Sequence, residues 1–339
     1  MQSRSHLKII ILCLVSVVLL LVILWFVFSV FSESGTRTDS GWERQIQNPT
    51  EDSNLTNWGL ACELDGSVYY SDFEIGIYKK GLTRDRLLVD GVYTDLCAVG
   101  KYLCCVELPQ TDDEDAAKPV RMIRIDPESG EKAVLFEAPA GVTYLQVLHT
   151  GDYSLYFSMN DEDLYTVNLS GRSQGTGIFR ALNVTSSGIY APYVYKSGLQ
   201  LLDFDGEVLQ RFPTLDHYSV TVLFELGTTL YLALSSEDNP GEPLYAAFDM
   251  ANGVLQPLPC LTEFGRLKAL SYWNGNFYVL CFDGEQCHLC LLYPDTAELS
   301  VLASVDAAES ILQLLSIVNG NAFLSFPFSP CKSLFIPLS

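Results

Sequence analysis

The sequence predicts an all-β fold, a seven-bladed β-propeller preceded by one transmembrane helix, and three observations carry that expectation. An apolar run, a glycine turn and a second aromatic-rich run recur seven times, with turn glycines at Gly66, Gly100, Gly151, Gly188, Gly227, Gly275 and Gly320, spaced 34 to 51 residues apart. After most of these turns comes a further strand phrase ending in an acidic or glycine turn, as in Leu164 to Gly171 and Leu244 to Gly253. Strand-built repeats of this period stack as radial blades. Third, the 23 residues from Ile9 to Phe31 carry no charge. Six blades is the alternative, if the last phrase forms an irregular cap.

Residues 1–8 form a short tail. At about 1.5 Å per residue, residues 9–31 make roughly 34 Å of helix, enough to cross a hydrocarbon core of about 30 Å. A cleaved signal peptide needs a shorter apolar core, about 7–15 residues, followed by small residues. This run instead ends in Trp25-Phe26-Val27-Phe28, so it reads as an uncleaved signal anchor whose partner is the lipid bilayer. Arg4 and Lys8 precede it, while Glu33, Asp39 and Glu43 offset Arg37 and Arg44 after it. That bias places the amino terminus in the cytoplasm and the propeller outside; a cytoplasmic propeller with reduced thiols is the other orientation. Residues 32–57 are polar, with Ser, Thr, Gly, Asn and Pro scattered through them, and read as a stalk.

The propeller spans 58–339. In the first unit the strands are expected at 60–64, 68–71, 77–81 and 87–90 by alternation and β-rich composition. The seventh unit reaches strands at 312–318, 322–326 and 333–338 and then the sequence stops. An open inner edge is a liability, and Trp42 to Gln47 is the candidate for a closing fourth strand.

The phrase Val68-Tyr69-Tyr70-Ser71-Asp72, followed by a short loop and the strand Ile77 to Gly81, resembles the YWTD repeat of low-density-lipoprotein-receptor propellers. With anchor and stalk in front, the chain is also similar to membrane-anchored bacterial propellers of unknown function. Only the first unit carries the motif cleanly; Tyr156-Phe157-Ser158-Met159 keeps the aromatics and loses the Asp. The resemblance implies a propeller and no catalytic residues.

Twenty basic against 41 acidic residues give a net charge of −21, which repels nucleic acid and anionic headgroups. In a propeller the loops between the second and third strands (b–c loops) gather on one face with the connections between blades. Asp72, Glu74, Asp112, Asp113, Asp161, Glu162, Asp163, Glu237, Asp238, Asp283 and Glu285 fall in those loops and form the candidate binding face. Such a face suits an unidentified protein or ligand with basic groups; Ca²⁺ is the ion it would take, and no cofactor is expected. The plainer account is that exposed loops are polar. Cys287-His288-Leu289-Cys290 invites a metal, but positions i and i+3 of a strand point to opposite faces, so core thiols are the better reading. Nine cysteines follow the anchor, and mostly buried free thiols are expected. None of His6, His149, His217 or His288 sits in a nucleophile motif such as G-x-S-x-G. The expected function is therefore a non-catalytic binding or scaffolding module at the outer membrane face, with an envelope hydrolase or lyase as the alternative.

Overall fold

In the computed structural model, twenty-seven strands among the described residues fall into seven antiparallel sheets, each built from consecutive strands. The structure describes residues 49–109, 119–193, 197–236, 239–308, 310, 312–327 and 333–338. Among the described residues one α-helix, α1 (Pro49–Thr56), precedes the sheets. Blade 1 holds β1 (Ala61–Leu64), β2 (Ser67–Asp72), β3 (Gly76–Lys79) and β4 (Arg86–Asp90). Blade 2 holds β5 (Val92–Val99), β6 (Tyr102–Leu108), β7 (Arg121–Ile125) and β8 (Lys132–Glu137). Blade 3 is β9 (Leu145–Thr150), β10 (Ser154–Met159), β11 (Asp163–Asn168) and β12 (Ser173–Phe179). Blade 4 is β13 (Asn183–Thr185), β14 (Gly188–Ala191), β15 (Gln200–Leu202) and β16 (Val208–Arg211). Blade 5 comprises β17 (Tyr218–Leu226), β18 (Thr229–Ser236), β19 (Asn239–Asp249) and β20 (Val254–Pro257). Blade 6 comprises β21 (Arg266–Trp273), β22 (Asn276–Phe282), β23 (Gln286–Tyr293) and β24 (Glu298–Asp306). Blade 7 has three strands among the described residues, β25 (Leu314–Val318), β26 (Asn321–Ser325) and β27 (Leu334–Pro337).

The chain is a seven-bladed propeller, and the strands of the first and last units lie within two residues of their expected bounds. Burial explains the order within a blade. Inner and second strands, such as β9 and β10, are mostly buried, whereas β16 is exposed throughout. Between blades the cores are apolar; Cys97, Val106, Met122, Val147 and Phe157, for example, join blades 2 and 3. The first and last blades meet through Leu60, Ala61, Val68, Val318 and Phe323, with Tyr70 against the Phe323 and Phe335 rings at 5.2 and 5.3 Å.

The expected anchor at Ile9–Phe31 and the expected closing strand Trp42–Gln47 lie outside the described residues. Among the described residues no helix is long and apolar enough to cross a membrane. The last residues of the polar segment, Pro49–Thr56, form α1, and α1 meets the inner strands β5, β9, β17, β21 and β25. It therefore occupies the centre of the ring. Inner strands have one unpaired edge, and buried backbone groups there need partners. The polar residues of α1 supply them. Asn54 donates to Ile317 O and accepts from Ile317 N–H, both at 2.7 Å. Ser53 Oγ accepts from Tyr272 N–H at 3.2 Å, and Asn57 just beyond the helix donates to Leu270 O at 3.0 Å. Polarity in this segment marks a lining for backbone edges rather than an exposed linker.

Seven of the cysteines, Cys62, Cys97, Cys104, Cys105, Cys260, Cys281 and Cys290, are buried free thiols, and Cys287 is buried with them. Burial pushes those seven thiols up, Cys104 and Cys281 to about 12, so they fill space rather than react.

Candidate functional site

The acids of the b–c face divide by what their carboxylates do. Asp72 Oδ1 accepts the N–H of Glu74 at 3.3 Å, closing its own turn. Asp283 Oδ1 accepts the N–H groups of Glu285 and Gln286, both at 2.8 Å. Asp126, Asp203 and Asp249 close turns between third and fourth strands in the same manner. Aspartate is favoured in such turns because its side chain bonds its own backbone two residues on. Glu74, Asp161, Glu162, Asp163 and Glu285 are exposed. Asp112, Asp113, Glu237 and Asp238 lie outside the described residues. Among the described residues no three His, Cys, Asp or Glu side chains converge as a metal site.

Asp283 does something more. Its second oxygen, Oδ2, lies 3.0 Å from His288 Nε2, and the opposite ring nitrogen, Nδ1, lies 2.9 Å from Ser304 Oγ. Three elements build this chain: Asp283 in the turn after β22, His288 on β23 and Ser304 directly opposite it on β24. The backbone N–H of Gln286, then His288 and the N–H of Glu285, hold the Asp283 carboxyl well below the usual carboxylate range. An ionised carboxylate only accepts, so Nε2 carries the proton. Nδ1 then presents its lone pair to the Ser304 hydroxyl, the arrangement of a general base on a nucleophile. The nitrogens have exchanged roles relative to the usual order, in which Nε2 faces the serine.

The setting is half open. The His288 side chain is 13% exposed and that of Asp283 43%, while Ser304 is exposed. The Phe264 ring covers one side of the imidazole at 5.8 Å. Gly265 fixes the backbone beneath, at φ +98°, with Phe282 O only 2.3 Å from where a Cβ would stand. Cys287 and Cys290 flank His288 in sequence and are fully buried, so that motif holds core thiols around one outward histidine.

Elsewhere, His149 pairs with Asp52 of α1 at 3.0 Å inside the ring. Glu225 is buried and accepts from the hydroxyls of Thr185 and Ser187. Both are internal contacts of the ring.

No family model matches this chain, and no curated protein does. Solved structures do. A puromycin-hydrolysing peptidase of Mycobacterium tuberculosis is similar at TM-score 0.51 and 14% identity, covering 87% of this chain and 53% of that one. A prolyl endopeptidase gives TM-score 0.50 and 12% identity, covering 88% and 50%. The nidogen/laminin complex, at TM-score 0.34 and 12% identity, covers 73% of this chain and 78% of that one. This chain thus spans about half the length of the two peptidases, and identity at this level carries the fold alone. The expectation of a non-catalytic binding or scaffolding module is corrected at this point. The finding that goes against it is that the two propellers named at TM-scores of 0.50 and 0.51 are those of peptidases.

Proposed function

We propose that this chain is a propeller hydrolase of the serine type, acting on an acyl bond of an ester or peptide. One observation carries the reading: the hydrogen-bonded line Asp283–His288–Ser304. Ser304 Oγ attacks the acyl carbon as His288 Nδ1 takes its proton, and the imidazolium that forms is stabilised by the Asp283 carboxylate. His288 returns the proton to the departing alcohol or amine, and water then releases the acyl group from Ser304 by the same base.

The test is covalent labelling of the full chain with a fluorophosphonate, followed by peptide mass mapping. The expected adduct is on Ser304, lost in Ser304→Ala and slowed by about 10²–10⁴ in His288→Ala, the usual contribution of a positioned base. Labelling at any other serine, or none, overturns the assignment. We also propose that Ile9–Phe31 anchors the chain with the propeller outside the membrane, since the flanking charges favour that orientation. A protease added to intact cells then degrades the propeller, and full protection would reverse the orientation.

A further inference from the structure

The face of the ring opposite the b–c loops carries one basic hairpin on a chain of net charge −21. Lys79, Lys80, Arg84 and Arg86 fall within eight residues at the turn from β3 to β4, four of the 20 basic residues in the sequence. Leu82, at the tip of that turn, is fully exposed, and Arg84 and Arg86 are exposed beside it.

The hairpin is held from within. Asp85 Oδ1 accepts the Gly81 N–H at 3.0 Å, and its Oδ2 accepts the Tyr70 hydroxyl at 2.6 Å. Tyr70 stacks on Tyr78 at 5.4 Å, and the Lys80 ammonium lies 3.8 Å from the Phe335 ring. The acid of the turn is therefore engaged inside it. Lys79 and Arg86 stand directly opposite each other on β3 and β4. Among the described residues neither of them, nor Arg84, pairs with a carboxylate. Like charges set opposite each other on adjacent strands are destabilising, and an external anion offsets that cost.

The hairpin also stands on the face where α1 begins. Turns joining first to second and third to fourth strands share that face. Glu51 accepts from Ala98 N–H at 3.4 Å and Ser53 from Tyr272 N–H at 3.2 Å, each the last residue but one of its inner strand. Asn57 meets Leu270, further back along β21. Pro49 thus sits on the hairpin's side, 18 residues after Phe31. Even fully extended, 18 residues span at most about 60 Å, so a propeller anchored through Ile9–Phe31 meets the bilayer at high effective concentration.

We propose that the β3–β4 hairpin docks on an anionic bilayer surface, with Leu82 inserted among the headgroups and Lys79, Arg84 and Arg86 paired with lipid phosphates. The proposal rests on the anchor reading for its proximity and not for its chemistry. A soluble acidic partner would satisfy the cations and leave the apolar tip without a role, whereas a bilayer takes both. The chain as a whole repels anionic headgroups, but charges beyond a Debye length of about 10 Å are screened, so the sign of the hairpin governs its own contact. The corresponding turns of blades 2 and 4 carry Asp126, Glu128 and Glu131, and Asp203, Asp205 and Glu207, so the propeller leans on blade 1 rather than lying flat.

The test uses the full-length Leu82→Trp chain in vesicles of 30% phosphatidylglycerol and 70% brominated phosphatidylcholine, with wild type as the blank for the four native tryptophans. Emission added by Leu82→Trp is expected to shift to the blue and to be quenched by the bromine, and to lose both effects in vesicles without phosphatidylglycerol. Each cation near an anionic surface contributes about fivefold, so Lys79→Gln, Arg84→Gln and Arg86→Gln together shift the docked equilibrium about a hundredfold, and the quenching is expected to vanish. Melting curves of the variants separate lost docking from lost fold. Quenching that ignores phosphatidylglycerol, that survives the triple substitution, or that never exceeds the blank would overturn the proposal. A blue shift with soluble polyglutamate and none with vesicles would overturn it in favour of an acidic protein. Flotation of wild type with vesicles in 0.5 M NaCl reads the anchor alone. A chain that fails to float there, yet shows phosphatidylglycerol-dependent quenching at low salt, would remove the anchor and leave the hairpin standing.

Discussion

Asp95 is the group whose replacement should change the protein's stability most simply. It sits on β5 at the register shift between Thr94 and Cys97, with φ +53°, and it is 1% exposed. Its Oδ1 accepts the N–H of Val147 at 3.0 Å, covering the open edge of β9 in the next blade. Burial raises its carboxyl from 3.8 to about 7, against the lowering effect of the bonds from Thr94 and Val147. The folded protein therefore holds a proton that the unfolded chain has released between about pH 4 and pH 7. Stability falls as pH rises through that window and is level above it. At about 1.4 kcal/mol per pKa unit, the native state bears about 4 kcal/mol at pH 8 that is absent at pH 4. An asparagine in its place keeps the acceptor for Val147, tolerates positive φ and cannot ionise. Urea denaturation of wild type and Asp95→Asn, at steps from pH 4.5 to 8.5, reads the difference directly, because all other titrations cancel. The variant is expected to match wild type near pH 4.5 and to exceed it by about 4 kcal/mol at pH 8, with the gap opening between. A difference that does not vary with pH would refute the reasoning.

Three further outcomes follow from named contacts. Asn54→Ala strips both partners from the buried Ile317 N–H and C=O and is expected to cost about 2–6 kcal/mol by denaturation, since each unsatisfied group costs about 1–3. Gly265→Ala places a Cβ 2.3 Å from Phe282 O and 2.7 Å from Asp283 Cα, so fluorophosphonate labelling of Ser304 should fall together with the melting temperature. Unchanged labelling would separate Asp283 from the site. Moving the serine by one position, in Ala303→Ser with Ser304→Ala, should abolish labelling at both positions. Position 303 stands opposite Leu289 and packs in the core shared with blade 7. A hydroxyl at that half-buried position is also expected to cost toward the low end of about 1–3 kcal/mol.

The ring was legible because its signals are local. Glycine turns and alternating strands repeat seven times, and the strand bounds of blades 1 and 7 follow from alternation alone. The role of α1 was not legible, since Thr50-Glu51-Asp52-Ser53-Asn54 has the composition of a linker and nothing local says that its partners are backbone groups more than 200 residues away. The acids of the b–c loops were visible as a charge pattern. What Asp72 and Asp283 do with their oxygens was visible only once each turn was closed.

His288 shows why the candidate site escaped the sequence. Near the hairpin turn Tyr293 stands opposite Glu298, and Cys290 opposite Val301; continued without interruption, that register would set His288 against Ala303. The shift between Leu289 and Cys290 inserts one residue into β24, and from there Leu289 meets Ala303 and His288 meets Ser304. A one-residue slip exchanges the two faces of a strand. Before the shift the outer strand would offer His288 a methyl group, and after it a hydroxyl. Bulges re-aim side chains in this way, and nothing in the composition of Glu298 to Asp306 announces one. The function argued for this chain thus depends on a single irregularity in its most exposed kind of strand, which is why the paired substitution at 303 and 304 discriminates more sharply than loss of the serine alone.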